Sequence, residues 1–220
     1  MTVSPIRFGD EGQVATGELA IRFREFCLRD ARLVALRPGF DMLETIDRQY
    51  GGSAALPLED SDELLAGLLN DLARHNAHPD LVLGVALWGL RHDIPLDAIE
   101  PVVNALAHRS NEARSPQELA AVFGLMQGVI ANVAPRLSPD LERSNPERPW
   151  RILHLNFAIT AIRTEDPPMI DFAFDALDAA LPSERRGFYS EAMALALSPQ
   201  VAAAVRERIE ARHLKWTADA

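Results

Sequence analysis

The stretch DLVLGVALWGLRHDIP, Asp80 to Pro95, decides how this chain folds, because PPMIDFAFDALDAALP, Pro167 to Pro182, repeats its plan. Leu83, Leu87, Leu90 and Pro95 stand at the same offsets in the first stretch as Ile170, Phe174, Leu177 and Pro182 in the second. Apolar residues three and four apart share one side of a helix, and the closing proline ends it by removing an N–H and crowding the preceding turn. Two such segments predict an all-α protein, a right-handed array of antiparallel helix hairpins forming a short α-solenoid of roughly ten helices.

Working outward from these stretches, caps and prolines place helices near 17–37, 40–50, 61–77, 79–92, 97–109, 116–134, 147–164, 168–181, 183–197 and 199–215. Ser115-Pro116-Gln117-Glu118 and Ser198-Pro199 each set a capping oxygen ahead of a proline whose missing N–H costs nothing at the first helical position. Residues 1–16, with Thr2 to Phe8 as a frayed end, read as a flexible segment, and 17–216 as a single helical-repeat domain. A proline-rich crossover at 134–149, with a short helical turn around Pro139 to Glu142, divides it without leaving either half able to cover its own apolar faces.

Some helices are apolar almost all round and are expected between layers. Leu81, Val82, Leu83, Val85, Leu87, Trp88 and Leu90 make one, and Trp150, Ile152, Leu153, Leu155, Phe157, Ile159 and Ile162 make another. The helix after Pro116 sets a bulky side (Leu119, Val122, Met126, Val133) against a small side (Ala120, Gly124, Gly128, Ala131) that would let another backbone approach. The others are amphipathic, with stripes at Leu64, Leu65, Leu68, Leu69 and Leu72 and at Phe172, Ala173, Ala176, Leu177 and Ala180. A thin strip of Val201, Val205 and Ile209, extended by Trp216, suits a terminal cap of the array.

With 220 residues, 48% hydrophobic and 25% charged, the chain can bury a core without disulfide or metal. Cys27 is the only cysteine, which excludes an intrachain disulfide and a cysteine-based zinc site. Met1 to Gln13 lacks the apolar run of a secretory signal, so a cytoplasmic protein is expected. Leu119 to Pro135 is the longest apolar run, yet it falls short of the roughly 20 residues of a span and carries Gln127 and Asn132, so no membrane partner is expected. A net charge of −10 and a pI near 5.1 argue against nucleic acid, which needs concentrated Lys and Arg. Lys215 is the sole lysine among many arginines, the bias of a GC-rich, bacterial-like coding sequence, and carries no function.

From Arg151 to Arg212 the chain resembles the tetratricopeptide repeat, a two-helix unit. Phe157, Ala158, Ile170, Phe174, Leu177 and Pro182 fall at or near that motif's apolar, small and proline positions, and Phe188, Ala192, Leu195, Ala204 and Ala211 continue it from Arg185. It departs from the motif at His154 and Ala161, usually large and aromatic, at Glu191, usually leucine, and at Arg208, usually bulky. The resemblance spans under a third of the chain. It implies protein or peptide binding on a concave surface and no catalytic residue.

The residues themselves offer few chemical constellations. No His-Glu-x-x-His, no Gly-x-Gly-x-x-Gly or Gly-x-x-x-x-Gly-Lys-Ser/Thr loop and no Gly-x-Ser-x-Gly is present, so no catalytic residue, metal ligand or cofactor is assigned. His75 and His78, with Asp71 a turn earlier, could share a metal, but as residues ending a helix they are expected to meet its C-terminal dipole. His154 lies among Trp150, Phe157 and Ala158, and a hydrogen-bonded core histidine is expected over a general base. Asp30 projects onto the stripe of Leu19, Phe23, Phe26, Leu33 and Val34, where it must raise its pKa or find a donor, an arginine ion pair being favoured. Cys27, on the same side, reads as a small core residue. Gly51-Gly52-Ser53 reads as a loop, and Glu59, Asp60, Asp62 and Glu63 as a helix N-terminus.

The expected function is therefore non-catalytic: a helical-repeat protein that binds a protein or peptide, with self-association a further possibility. Its surface would be the polar strip Asn156, Thr160 and Arg163, lining a groove, with Asp171, Asp175 and Asp178 as an acidic bank. Two bland accounts compete with it: Arg163 paired to Glu165 or Asp166, and aspartates that are merely a solvated face. The alternative function is an enzyme or small-molecule sensor with a pocket between helices, using Asp30, His154 or His92.

Overall fold

Short polar residues and prolines begin the helices, and the computed structural model shows how: it describes residues 16–50, 60–136 and 148–217. Among these it is all-helical, with ten α-helices and no strand. Most of residues 1–16, the Gly51-Gly52-Ser53 loop, Glu59 and the Pro139 to Glu142 turn lie outside the described residues, as does most of the 134–149 crossover. No helix among the described residues is long and apolar enough to cross a membrane. The chain divides into two compact units, residues 1–111 with 124–137, and residues 112–123 with 138–220.

The first unit holds α1 (Thr16–Cys27), a 3-10 turn (Ala31–Leu36), α2 (Arg37–Tyr50), α3 (Ser61–Arg74), α4 (Pro79–Arg91) and α5 (Ile99–Glu112), with the later part of α6 (Pro116–Val133). The single helix expected over 17–37 is broken at Leu28 to Asp30. Asp30 is the cause: its carboxylate accepts from Arg32 N at 3.0 Å and from the Arg32 guanidinium at 2.6 to 3.1 Å, an alternative to helical pairing. The arginine ion pair is thus present, at a helix cap instead of mid-stripe, and Arg32's side-chain hydrogen bonds lower the Asp30 pKa to about 2. Leu19, Phe23 and Phe26 bury against Phe40, Leu43 and Ile46, with Phe23 and Phe40 stacked at 3.8 Å.

α4 is enclosed as its composition requires, every residue from Asp80 to Gly89 being buried. Its two glycines make this possible. A Cβ on Gly84 would overlap Leu19 of α1, and one on Gly89 would overlap Leu65 of α3. His78 differs from expectation: its Nδ1 accepts from Asp80 N at 3.2 Å and so caps the start of α4, while His75 ends α3. Asp71 pairs instead with Arg74. Asp80 reaches Arg109 of α5 at 3.2 Å, and Asn132 of α6 accepts from Leu96 N at 3.1 Å and donates to Ile94 O at 3.2 Å, pinning the loop after α4.

In α6 the bulky side is buried, as expected, at Leu119, Val122, Met126 and Val133. The small side is not closely covered: Gly124 and Ala131 are exposed, and a Cβ added at Gly128 would meet the Leu90 side chain at an ordinary 3.7 Å. Glu118 N donates to Ser115 Oγ at 3.2 Å, so the cap before Pro116 forms as the sequence indicates.

The second unit is built from the first part of α6 with α7 (Pro149–Thr164), α8 (Pro167–Ala180), α9 (Arg185–Ala196) and α10 (Ala203–Thr217). α7 packs on α8, α9 on α10, and α10 also on α8. Asp166 Oδ1 caps α8 by accepting from Met169 N at 3.0 Å. The Ser198-Pro199 start fails, because Ser198 to Ala202 form turns and α10 begins at Ala203. Arg206 explains the delay: it donates to Ala196 O at 2.9 Å and Ser198 O at 3.2 Å, holding these carbonyls in the loop.

Phe123 stacks on Phe157 at 4.3 Å with Phe172 edge-on to both, and Tyr189 meets Phe174 edge-on at 5.1 Å. Of the residues that carry the repeat resemblance, Phe157, Ala158, Ile170, Phe174 and Leu177 are buried. Leu195, Ala204 and Ala211 are exposed, and Tyr189, Ala196, Val205 and Ile209 form the buried side of α9 and α10 instead.

Candidate functional site

On α7, Arg151, Leu155, Ile159 and Ile162 recur at one helical turn, and the helix therefore shows a second apolar side beyond the one it buries. The buried side is Leu153, His154, Phe157, Thr160, Ala161 and Thr164. α9 starts beside α7, since Arg151 Nη2 lies 2.8 Å from Glu184 Oε2. Together they wall a groove of about 390 Å³ within the second unit. Leu155, Ile159 and Ile162 form one wall, Phe188, Ala192 and Leu195 the other, while Val201 and Ile209 close it from below. Gly187 and Ala192 present no bulk to fill it. Ile159 is 46% exposed and Leu195 75% exposed, so water meets a continuous apolar surface along the rim.

Four charged residues line the groove, and Glu191 lies midway along the α9 wall. Arg151 and Glu184 pair at one end, where hydrogen bonding from Arg151 lowers the Glu184 pKa and Glu191 also contributes to the field at Arg151. Arg163 stands at the other, donating from Nη2 to Ala113 O at 3.4 Å. Twelve residues of helix separate Arg151 from Arg163, about 18 Å.

Of the expected binding strip, only Arg163 lines this groove; Asn156 is half-buried and Thr160 is fully buried. The three aspartates turn toward α10. Asp171 takes Arg208 at 3.2 Å, Asp175 takes Arg212 at 2.5 Å, and Asp178 accepts from Tyr189 Oη at 2.9 Å, Arg212 Nη1 at 2.5 Å and Trp216 Nε1 at 3.1 Å. Burial, then the Asp178 charge, drives the Tyr189 hydroxyl pKa upward. The aspartates clasp α8 to α10, Asp178 buried and Asp171 and Asp175 still largely exposed, which spacing alone could not reveal because the α10 partners lie more than thirty residues away.

A second cluster contains His92, which the sequence offered singly, and partners for it that the sequence did not bring together. In the first unit, Trp88 Nε1 donates to Asp47 Oδ1 at 2.8 Å, His92 Nε2 lies 2.8 Å from the same oxygen, and Arg91 pairs with Asp47 Oδ2. The His92 side chain has 0% exposure, so this Asp–His pair presents no ring nitrogen to solvent and serves to join α2 to the end of α4. His154 departs from expectation in another way. It is 2% exposed, edge-on to Trp150 at 4.3 Å, and neither ring nitrogen has a hydrogen-bond partner. Burial alone lowers its pKa to about 4, leaving a neutral ring. Burial likewise raises the Cys27 thiol, which works against thiolate chemistry. No family model, curated protein or solved structure matches this chain.

Proposed function

We propose that this is a non-catalytic, cytoplasmic helical-hairpin protein, similar to a short tetratricopeptide array, that binds a segment of another protein in the α7–α9 groove. The observation that carries this reading is the apolar rim, above all Leu195 with 75% of its surface open to water. Contiguous exposed apolar surface flanked by charge is what a binding face needs, and scattered surface leucines would not line one channel. The test compares wild type with Leu195→Asp and with Leu28→Asp, a control at an exposed leucine of the first unit. A stoichiometric protein retained from native lysate by wild type and the control, and lost by Leu195→Asp, supports the reading. Identical proteins in all three lanes refute it.

The groove volume favours one rival, a sensor of a small apolar ligand, since about 390 Å³ lies within the usual range of such sites. That rival requires medium-chain fatty acids or comparable apolar compounds to raise the melting temperature. The open rim at Ile159 and Leu195 fits a chain segment better than a ligand that must be enclosed.

A further inference from the structure

Resting on the reading of the α7–α9 groove as a binding face, we propose that a separable part of the second unit makes and unmakes it. The α9–α10 hairpin docks on α7 and α8 as one body, and Asp178 of α8 is the latch that holds it there. Packing marks the two bodies: α7 lies on α8 and α9 on α10, while α10 also packs on α8. Their burial is unequal. α7 and α8 bury Leu153, Phe157, Ile170, Phe174 and Leu177 among others, whereas on α9 and α10 the buried side chains are Tyr189, Ala196, Val205 and Ile209. A terminal hairpin with so little buried apolar surface belongs to the less stable end of a fold.

Its polar ties converge on one residue. The Asp178 carboxylate accepts from Tyr189 Oη of α9 at 2.9 Å, and from Arg212 Nη1 and Trp216 Nε1 of α10 at 2.5 and 3.1 Å. Its backbone carbonyl accepts from Arg185 Nε at 2.9 Å. One aspartate thus grips both helices of the hairpin from a buried position, while the Asp171–Arg208 and Asp175–Arg212 pairs have exposed carboxylates that solvent screens. Such a latch is reversible. Removing a single partner strands a buried charge, but when the whole hairpin leaves, Asp178 and Arg212 return to water together and regain the solvation that docking took from them. The Phe123, Phe157 and Phe172 rings, which pack on one another, include none from the hairpin, so α7 and α8 keep that contact when it leaves.

The groove lies across this seam. Leu155, Ile159 and Ile162 belong to one body, and Phe188, Leu195 and Ile209 to the other. A guest that touches both walls binds the docked form alone and draws the hairpin toward it. Asp178 does not line the groove and acts on it as a positioning residue.

Hydrogen exchange of the full chain, followed by mass spectrometry on wild type, Asp178→Asn and Asp171→Asn, tests this. In wild type the amides of α9 and α10 should exchange as one set, ahead of those of α7 and α8. Asp178→Asn should speed that set about tenfold and leave α7 and the first unit unchanged. Asp171→Asn, at an exposed pair, should speed it by about twofold at most. Exchange of α7 to α10 in a single step, or of α10 without α9, overturns the separable hairpin, and the wild type alone decides this if Asp178→Asn fails to fold. Equal effects of the two substitutions overturn the latch. A protein captured from lysate by wild type and lost by Leu195→Asp should be retained less by Asp178→Asn, and undiminished retention overturns the hold of the latch on the groove. No guest enters the exchange measurement, so a lysate that yields no such protein counts against the binding reading and leaves the hairpin standing.

Discussion

At His154 the fold keeps a titratable ring dry and neutral, without a hydrogen bond to either nitrogen. An unpaired buried polar group of this kind costs about 1–3 kcal/mol. It also ties stability to pH. The ring's pKa is about 4 in the folded chain against an ordinary 6.5, so between those values the unfolded chain takes up a proton that the folded chain refuses. The contribution of His154 is whole above pH 6.5 and drains away as pH falls toward 4, about 3 kcal/mol in all. His154→Leu should therefore lose less stability than wild type between pH 7.5 and pH 4.5 in urea denaturation. Equal losses in the two proteins would mean that the ring is hydrated or paired in solution. Asp30 has the opposite sign of group and the same direction of effect, since a carboxylate held at about 2 stabilises above its ordinary range and stops doing so in acid.

Helices expose which kinds of information a sequence carries locally. Pro79, Pro116, Pro149 and Pro167 mark four helix starts directly, because a missing N–H is free of cost there and a fixed φ suits the first turn. The enclosed character of α4 is equally legible, as its apolar residues leave no polar side. What spacing could not supply is anything that depends on partners far along the chain. Asp47 looks like one acid on an amphipathic helix until Trp88 and His92 arrive, and Asp178 looks like a solvent-facing residue until α10 folds over it. Of the strip Asn156, Thr160 and Arg163 only Arg163 lines the groove, because the exposed side of α7 is masked by a helix that reads as apolar all round. Two glycines separate local propensity from packing. Gly67→Ala, exposed in α3 with open space around it, should stabilise by up to about 1 kcal/mol. Gly89→Ala should destabilise by about 1–3 kcal/mol, because Leu65 is fully buried and has nowhere to retreat. Thermal melts of the two variants check both signs, and equal shifts would show that α3 and α4 are less closely packed than described.

For the molecule as a whole, the second unit leaves part of its apolar surface in water in its native state. The cost is borne at Ile159 and Leu195, and it should be measurable without knowing any partner. A hydrophobic dye such as ANS is expected to bind the native protein at neutral pH, and Leu195→Asp should reduce that fluorescence with no fall in melting temperature. Unchanged dye binding would place the accessible apolar surface elsewhere. Three indole rings, finally, sit at three separate junctions: Trp88 on Asp47 in the first unit, and Trp150 on His154 and Trp216 on Asp178 in the second. Each emits from its own junction, so chains that keep one tryptophan at a time give a light signal from either unit alone, and the protein carries within itself the means to show whether its halves come apart together or in turn.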